Sequence, residues 1–140
     1  MKILYTMVGL PGAGKSTSAQ THPECVVIST DAIRAELLGS AECQEQGDRV
    51  FAEAHKRVEQ ALRAGHDVII DATNVTRKAR KQWLRHTAHH VAVYVATDVE
   101  ECKRRNAQRD RQVPEYVIDR MAQRLAIPTT TEGYDSIIIV

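Results

Sequence analysis

Apolar positions along the chain fall into short, nearly continuous runs, separated by stretches in which they recur every three or four residues. That alternation predicts strand, helix, strand, helix and a parallel sheet. Lys2 to Val8 is the first run and predicts a strand, which Gly9 to Ser16 interrupts with three glycines and a proline. A short helix is expected over 16–21, stopped before Pro23. Cys25-Val-Val-Ile-Ser29 predicts a second strand, after which Thr30 or Asp31 is expected to cap a helix through Leu38, with Gly39 as its stop. Residues 40–47 carry no clear period and read as a loop. Val50, Ala54, Val58, Ala61 and Leu62 then recur at helical spacing until Gly65.

The pattern continues with His66 to Ala72 as a third strand, centred on Val68-Ile69-Ile70, and a helix from about Thr76 to Thr87. Val91 to Val95 predicts a fourth strand, and Thr97-x-x-Glu100 a capping box that starts the next helix. Asp110 to Val113 is polar and irregular, whereas Pro114 suits the first turn of a helix carrying Val117, Ile118, Met121 and Leu125 on one side. Ser136 to Val140 reads as a fifth, core-type strand that completes the domain. Without an internal repeat, low-complexity tract or linker, the expectation is one domain over 1–140, a three-layer α/β sandwich with ligands beyond the carboxyl ends of its strands.

Composition narrows the class rather than changing it. The chain has 140 residues, the size of a single core, and its 43% hydrophobic and 26% charged content excludes disordered and fibrous classes. Apolar runs such as Ile137 to Val140 are too short to span a bilayer, so no membrane partner is expected. The amino terminus enters a strand with no small-residue cleavage site, which reads as a cytoplasmic, uncleaved protein. Cys25, Cys43 and Cys102 are odd in number and lack a C-x-x-C pair, disfavouring a disulfide framework and a zinc cluster alike. His86, His89 and His90 cluster, but their spacing fits a surface turn better than a metal site. Net charge is +1, yet residues 1–76 hold 7 basic and 10 acidic side chains against 12 and 8 in 77–140. A basic second half on a near-neutral chain suits a local anion better than a long duplex.

Candidate chemistry begins at Gly9-Leu-Pro-Gly-Ala-Gly14-Lys15-Ser16, which fits G-x-x-x-x-G-K-[ST] between a strand and a helix. Glycines at that spacing let backbone N–H groups turn toward phosphate oxygens, Lys15 can reach the β and γ oxygens, and the Ser16 hydroxyl can ligate Mg2+. Nucleotide binding is therefore expected at Gly9, Gly12, Ala13, Gly14, Lys15, Ser16 and Thr17. Beyond the second strand, Asp31 and Arg34 are three apart and share a helix face. Alone they would read as a helix-dipole carboxylate with its ordinary partner. Beside a phosphate cradle they offer a base for an attacking hydroxyl and a grip for an acceptor phosphate. The third strand ends in Val68-Ile-Ile-Asp71-Ala-Thr73-Asn74, where Asp71 could accept from metal-bound water or hold a catalytic side chain. Arg105 and Arg109 lie on one helix face before the irregular 110–113, where a lid could carry arginines to transferring phosphates. No N-K-x-D sequence occurs, which lowers a GTPase reading.

Taken together, G-x-P-G-x-G-K-S at 9–16, D-x-x-R at 31–34, D-x-T-N at 71–74, R-N-x-x-R at 105–109, Val113-Pro114, Pro128 and Glu132-Gly133-Tyr134-Asp135 resemble the kinase module of the P-loop 5'-hydroxyl polynucleotide kinase family. The likeness extends to the wider group of small P-loop kinases that includes zeta toxins. It implies a three-layer α/β/α P-loop kinase fold with a five-stranded parallel sheet, ATP and Mg2+ as cofactors, and a DNA or RNA 5' end as substrate, with no protein partner. It further implies that Lys15 and Arg109 hold the donor phosphates, Ser16 the metal, and that Asp31 is the general base. Arg34 would grip the phosphate 3' of the accepting nucleoside, Asp71 would support the acceptor site, and Arg105 would serve in the lid. The phosphatase module of the end-repair enzymes, with its D-x-D-x-T motif, is absent from these residues. Two alternatives stand beside this reading: a kinase for a nucleoside, sugar or other small hydroxylated metabolite, and a nucleotide-binding switch acting through a partner.

Overall fold

Ile3-Leu-Tyr-Thr-Met-Val8 is apolar or β-branched nearly throughout, so it can be covered on both faces and form the middle of a parallel sheet. The computed structural model, which describes residues 1–39 and 47–140, places it there as β1 (Ile3–Val8). The order along the sheet is β2 (Val26–Ser29), β3 (Val68–Asp71), β1, β4 (His89–Tyr94) and β5 (Ser136–Ile139), and every neighbouring pair is parallel. Leu4 stands opposite Val68 on one side and His90 on the other. The chain is thus an α/β fold with one five-stranded parallel sheet, as the resemblance implied.

Side chains alternate between the two faces, and each face takes its own helices. Leu4, Ile28, Val68 and Ile70 pack with Ile33 of α2 (Thr30–Leu38) and with Val50, Ala54 and Val58 of α3 (Gly47–Arg63), around Trp83. Met7, Ile69, Val91 and Val93 pack with Ala19 of α1 (Lys15–Ala19), Cys102 of α5 (Val99–Ala107) and Ile118 of α6 (Glu115–Arg124). Full burial of such aliphatic side chains contributes roughly 1.5–3 kcal/mol each. The two layers hold the sheet's carboxyl edge, where every loop discussed below begins.

Several expectations change at the ends of elements. Ser29, rather than Thr30 or Asp31, caps α2: its hydroxyl accepts from the Ala32 amide, and Asp31 stands on the first turn without a capping role. Gly39 ends that helix at φ +82°, as its lack of a Cβ allows. Asp98 caps α5 by accepting from the Glu100 and Glu101 amides, so Thr97-x-x-Glu100 is not a capping box. The helix expected over 76–87 is shorter, α4 (Arg77–Lys81), and tightens into a 3-10 turn over Gln82–Arg85. The loop expected over 40–47 lies outside the described residues except for Gly47, which already belongs to α3, and Cys43 lies outside them too.

His86 and His90 depart from the expected surface turn, for both are buried. His55 Nδ1 and His86 Nε2 are 2.7 Å apart in a hydrogen bond, His86 Nδ1 bonds Glu59, and His90 Nε2 bonds the His86 carbonyl at 2.7 Å. Among the described residues no group of three or more His, Cys, Asp and Glu is placed to hold a metal ion. The last strand also differs from a core strand: Ile138, Ile139 and Val140 are exposed, because β5 is an edge of the sheet. Cys25 and Cys102 are free thiols, as the sequence suggested. No described helix is long and apolar enough to cross a membrane.

Candidate active site

The turn after β1 needs glycine for steric reasons that the structure makes explicit. Gly12 has φ +84° and a Cβ there would lie 2.5 Å from the Cys102 carbonyl oxygen, while Gly14 has φ +101° and would bring a Cβ to 3.4 Å from Arg105 Nη1. The turn is braced on both sides. Gly9 N–H donates to the Thr73 carbonyl at 3.0 Å, and the Ala13 carbonyl accepts from Thr97 Oγ1 at 2.7 Å and from Arg105 Nη1 at 3.2 Å. Thr97 therefore ties α5 to the turn rather than capping α5.

Lys15 Nζ donates to the Leu10 carbonyl at 2.9 Å, inside the turn it was expected to serve. Burial pushes its ammonium down to about 8; the Asp71 and Asp31 carboxylates oppose that shift and the Arg109 guanidinium adds to it. Asp71, Asp31 and Arg109 are thus near enough for their charges to act on Lys15. Ser16 Oγ donates to Asp71 Oδ2 at 2.8 Å, joining the start of α1 to the end of β3. A hydroxyl and a carboxylate in contact are hard oxygen donors, and with phosphate and water oxygens they fit Mg2+, which keeps several waters and needs few protein ligands. Thr17 is exposed on the first turn of α1.

Across the cleft, the register pairing Ser29 with Asp71 ends β2 and β3 together, so Asp31 and Asp71 leave the sheet at the same edge. Arg34 Nη1 donates to Asp31 Oδ1 at 3.3 Å. Arg34 is only 8% exposed, and its Nε finds no hydrogen-bond partner among the described residues. Asp31 accepts a second guanidinium on its other oxygen, Arg111 Nη2 at 2.9 Å. Arg109 is exposed on the segment that follows α5.

Two further residues shape the site without having been singled out in the sequence. Asn74 sits at φ +47°, a left-handed turn that asparagine tolerates. Its Nδ2 donates to the Met7 carbonyl at 2.9 Å and its Oδ1 accepts from Trp83 Nε1 at 3.1 Å, locking the end of β3 to β1. The asparagine of D-x-T-N was quoted only as part of a pattern. Arg111 lies in the stretch read as polar and irregular, and nothing in its neighbours marks it as a partner of a residue 80 positions away.

Comparison with known proteins bears on the family and the fold. A family model described as AAA domain matches residues 4–128. The chain is 25% identical over 145 aligned residues to the L-seryl-tRNA(Sec) kinase of Methanococcus maripaludis, covering 95% of this chain and 56% of that protein. It is 23% identical over 143 residues to the bifunctional polynucleotide phosphatase/kinase of Schizosaccharomyces pombe, covering 96% and 32%. It thus spans about half of the first relative and a third of the second. Among solved structures, the Pnkp1/Rnl/Hen1 RNA repair complex contains a chain with TM-score 0.80 at 23% identity, covering 89% of this chain and 44% of that one. A gluconokinase from Sinorhizobium meliloti 1021 has TM-score 0.64 at 17% identity, with 97% and 80% covered. At those identities the structures show the fold.

Proposed function

The chain belongs to the AAA domain family and is a small P-loop kinase, a phosphotransferase, and from that premise we propose that it moves the γ-phosphoryl of ATP to the 5'-hydroxyl of a DNA or RNA end. One observation carries the choice of acceptor: Arg34, nearly buried beside Asp31, has a guanidinium nitrogen with no partner among the described residues. A buried, partly unsatisfied donor is costly unless a ligand completes it. A nucleic-acid end supplies a phosphate next to the terminal nucleoside; a free nucleoside or neutral sugar does not.

In this reading Asp31 accepts the proton of the 5'-hydroxyl as its oxygen attacks the γ-phosphorus and the bond to the bridging oxygen breaks, releasing ADP. Lys15, Arg105 and Arg109 hold the donor phosphates and take up charge that spreads over the transferring group. Ser16 and Asp71 would hold Mg2+, which when bound supplies further charge neutralisation at the phosphates. Little covalent chemistry is asked of the protein, so positioning and electrostatics dominate.

The test is transfer of γ-labelled phosphate from ATP with Mg2+ to a 5'-hydroxyl oligonucleotide, a 3'-nucleoside monophosphate, a free nucleoside, gluconate and no acceptor. Labelling of the first two alone is expected, with Asp31→Ala losing turnover by about 10²–10⁴ while ATP binding is retained. Equal labelling of the free nucleoside, or an Arg34→Ala variant that still labels oligonucleotides normally, overturns the acceptor assignment. Labelling of gluconate alone makes the chain a small-metabolite kinase.

A further inference from the structure

The segment after α5 is folded back on itself rather than hanging free. Asn106 is buried, and its side chain clasps Val113 on both sides: Nδ2 donates to the Val113 carbonyl at 2.7 Å and Oδ1 accepts from the Val113 amide at 3.0 Å. Gln112 Nε2 donates to the Ala107 carbonyl at 2.9 Å. A loop clasped at its base in this way moves with α5 as one piece. That piece carries Arg105 on the Ala13 carbonyl of the phosphate turn, Arg109 within charge range of Lys15, and Arg111 on Asp31. A single element therefore touches the donor side of the cleft and the proposed base at once.

We propose that Arg111 is a positioning residue for Asp31, one that aligns the carboxylate when the α5 segment engages the donor phosphates and so couples donor binding to activation of the acceptor hydroxyl. The proposal rests on the reading of Asp31 as general base. An ionised carboxylate has about four lone-pair sites on two oxygens. Arg34 and Arg111 each use one, on different oxygens, so both C–O directions are fixed while sites remain to receive a hydroxyl. Without Arg111, Asp31 keeps only the longer Arg34 contact, and its side chain is half exposed on the first turn of a helix and free to rotate. The Arg111–Asp31 pair is itself too exposed to hold the fold together, since surface pairs contribute little. What it delivers is orientation, and small misplacements of a reacting group cost up to about 10²-fold in rate.

The experiment is a double-mutant cycle of Arg111→Ala and Asp31→Asn, read as single-turnover phosphoryl transfer to a 5'-hydroxyl oligonucleotide with enzyme in excess. Arg111→Ala alone is expected to lower kcat roughly 10- to 100-fold, with the KM for ATP and the urea midpoint unchanged, and Arg111→Lys to restore part of the loss. In the Asp31→Asn background, removing Arg111 should have almost no further effect, because there is no base left to align. A full second penalty in that background would make Arg111 an independent phosphate ligand and overturn the proposal, as would a wild-type kcat in Arg111→Ala. A binding arm guards against an Asp31→Asn rate too slow to read. A non-hydrolysable ATP analogue should tighten 3'-nucleoside monophosphate binding to the wild-type protein and not to Arg111→Ala; equal tightening in both refutes the coupling. Failure of the polynucleotide reading is separately visible as a wild-type protein that labels no 5'-hydroxyl end. The same cycle is then read on hydrolysis of ATP by water, where multiplicative losses again overturn the proposal and non-additive ones support it.

Discussion

Lys15 is a cation largely held out of water inside the phosphate turn. Bonded to the Leu10 carbonyl and held near 8 by burial, it is charged at neutral pH and loses its proton as the pH rises through 8. A polyphosphate in the cleft favours the charged form, so the bound lysine must titrate higher than the free one. Nucleotide binding should then take up a proton above about pH 8 and none near pH 7, and affinity should weaken as pH rises across that window. Calorimetry at both pH values in two buffers of different ionisation heat measures the uptake directly. Lys15→Arg should abolish it, and a wild-type protein with no uptake at the higher pH would show that Lys15 is not the group linked to binding. At this scale the sequence was most informative about the turn itself, because G-x-x-x-x-G-K-S encodes local backbone geometry that Gly12 and Gly14 display at positive φ. It was least informative about Arg111 and Asn74. The value of those two depends on what a distant strand or helix brings next to them, and a one-dimensional spacing holds no record of that.

Elements are fixed to one another through buried polar pairs that periodicity does not reveal. Arg80 of α4 is fully buried and meets Glu132, in the 3-10 turn Thr130–Glu132, by two parallel bonds, Nε to Oε1 at 2.9 Å and Nη2 to Oε2 at 3.0 Å. Its Nη1 also donates to the Asn74 carbonyl at 2.9 Å, so the pair holds the turn after β3 that brings Asp71 to Ser16. Glu132 additionally accepts from the Thr129 amide and, with the Thr129 side chain, forms a capping box. Removing its charge strands Arg80 in the interior, and breaking such a pair costs about 3–5 kcal/mol. Glu132→Gln should therefore lower the unfolding free energy read from a urea titration by that order, and a change below about 1 kcal/mol would place the pair among exposed ones. The same physics explains the misread ends. Thr97 and Asp98 are both competent caps by type; the choice between them was settled by the Ala13 carbonyl, which took the Thr97 hydroxyl. His86 and His90 read as a surface turn from their spacing; in the fold His86 is buried between His55 and Glu59, with the Trp83 ring tilted against His55, and His90 bonds the His86 carbonyl.

At the scale of the whole molecule, alternating apolar runs were enough to yield five parallel strands and two helical layers, since each run has only one way to be covered on both faces. The last strand was legible in place but not in burial: Ser136 to Ile139 pairs with β4 alone, and Ile138 and Ile139 are left in solvent. Charge is organised differently from hydrophobicity. The net charge is only +1, yet Lys15, Arg34, Arg105, Arg109 and Arg111 converge around the carboxyl edge of the sheet with Asp31 and Asp71. If its acceptor is the nucleic-acid end proposed above, such a molecule should grip the end of a strand at one or two phosphates instead of tracking its length. Each phosphate neutralised on a single strand contributes a slope of about −0.7 in the dependence of log affinity on log salt. Titration of a labelled 5'-hydroxyl oligonucleotide between about 50 and 200 mM salt should accordingly give a slope of about −0.7 to −1.4, unchanged when the strand is lengthened at its 3' side. A slope near −5, or one that steepens with strand length, would mean that a wider basic face of the second half binds the nucleic acid. The cleft would then be only where a tracked strand terminates.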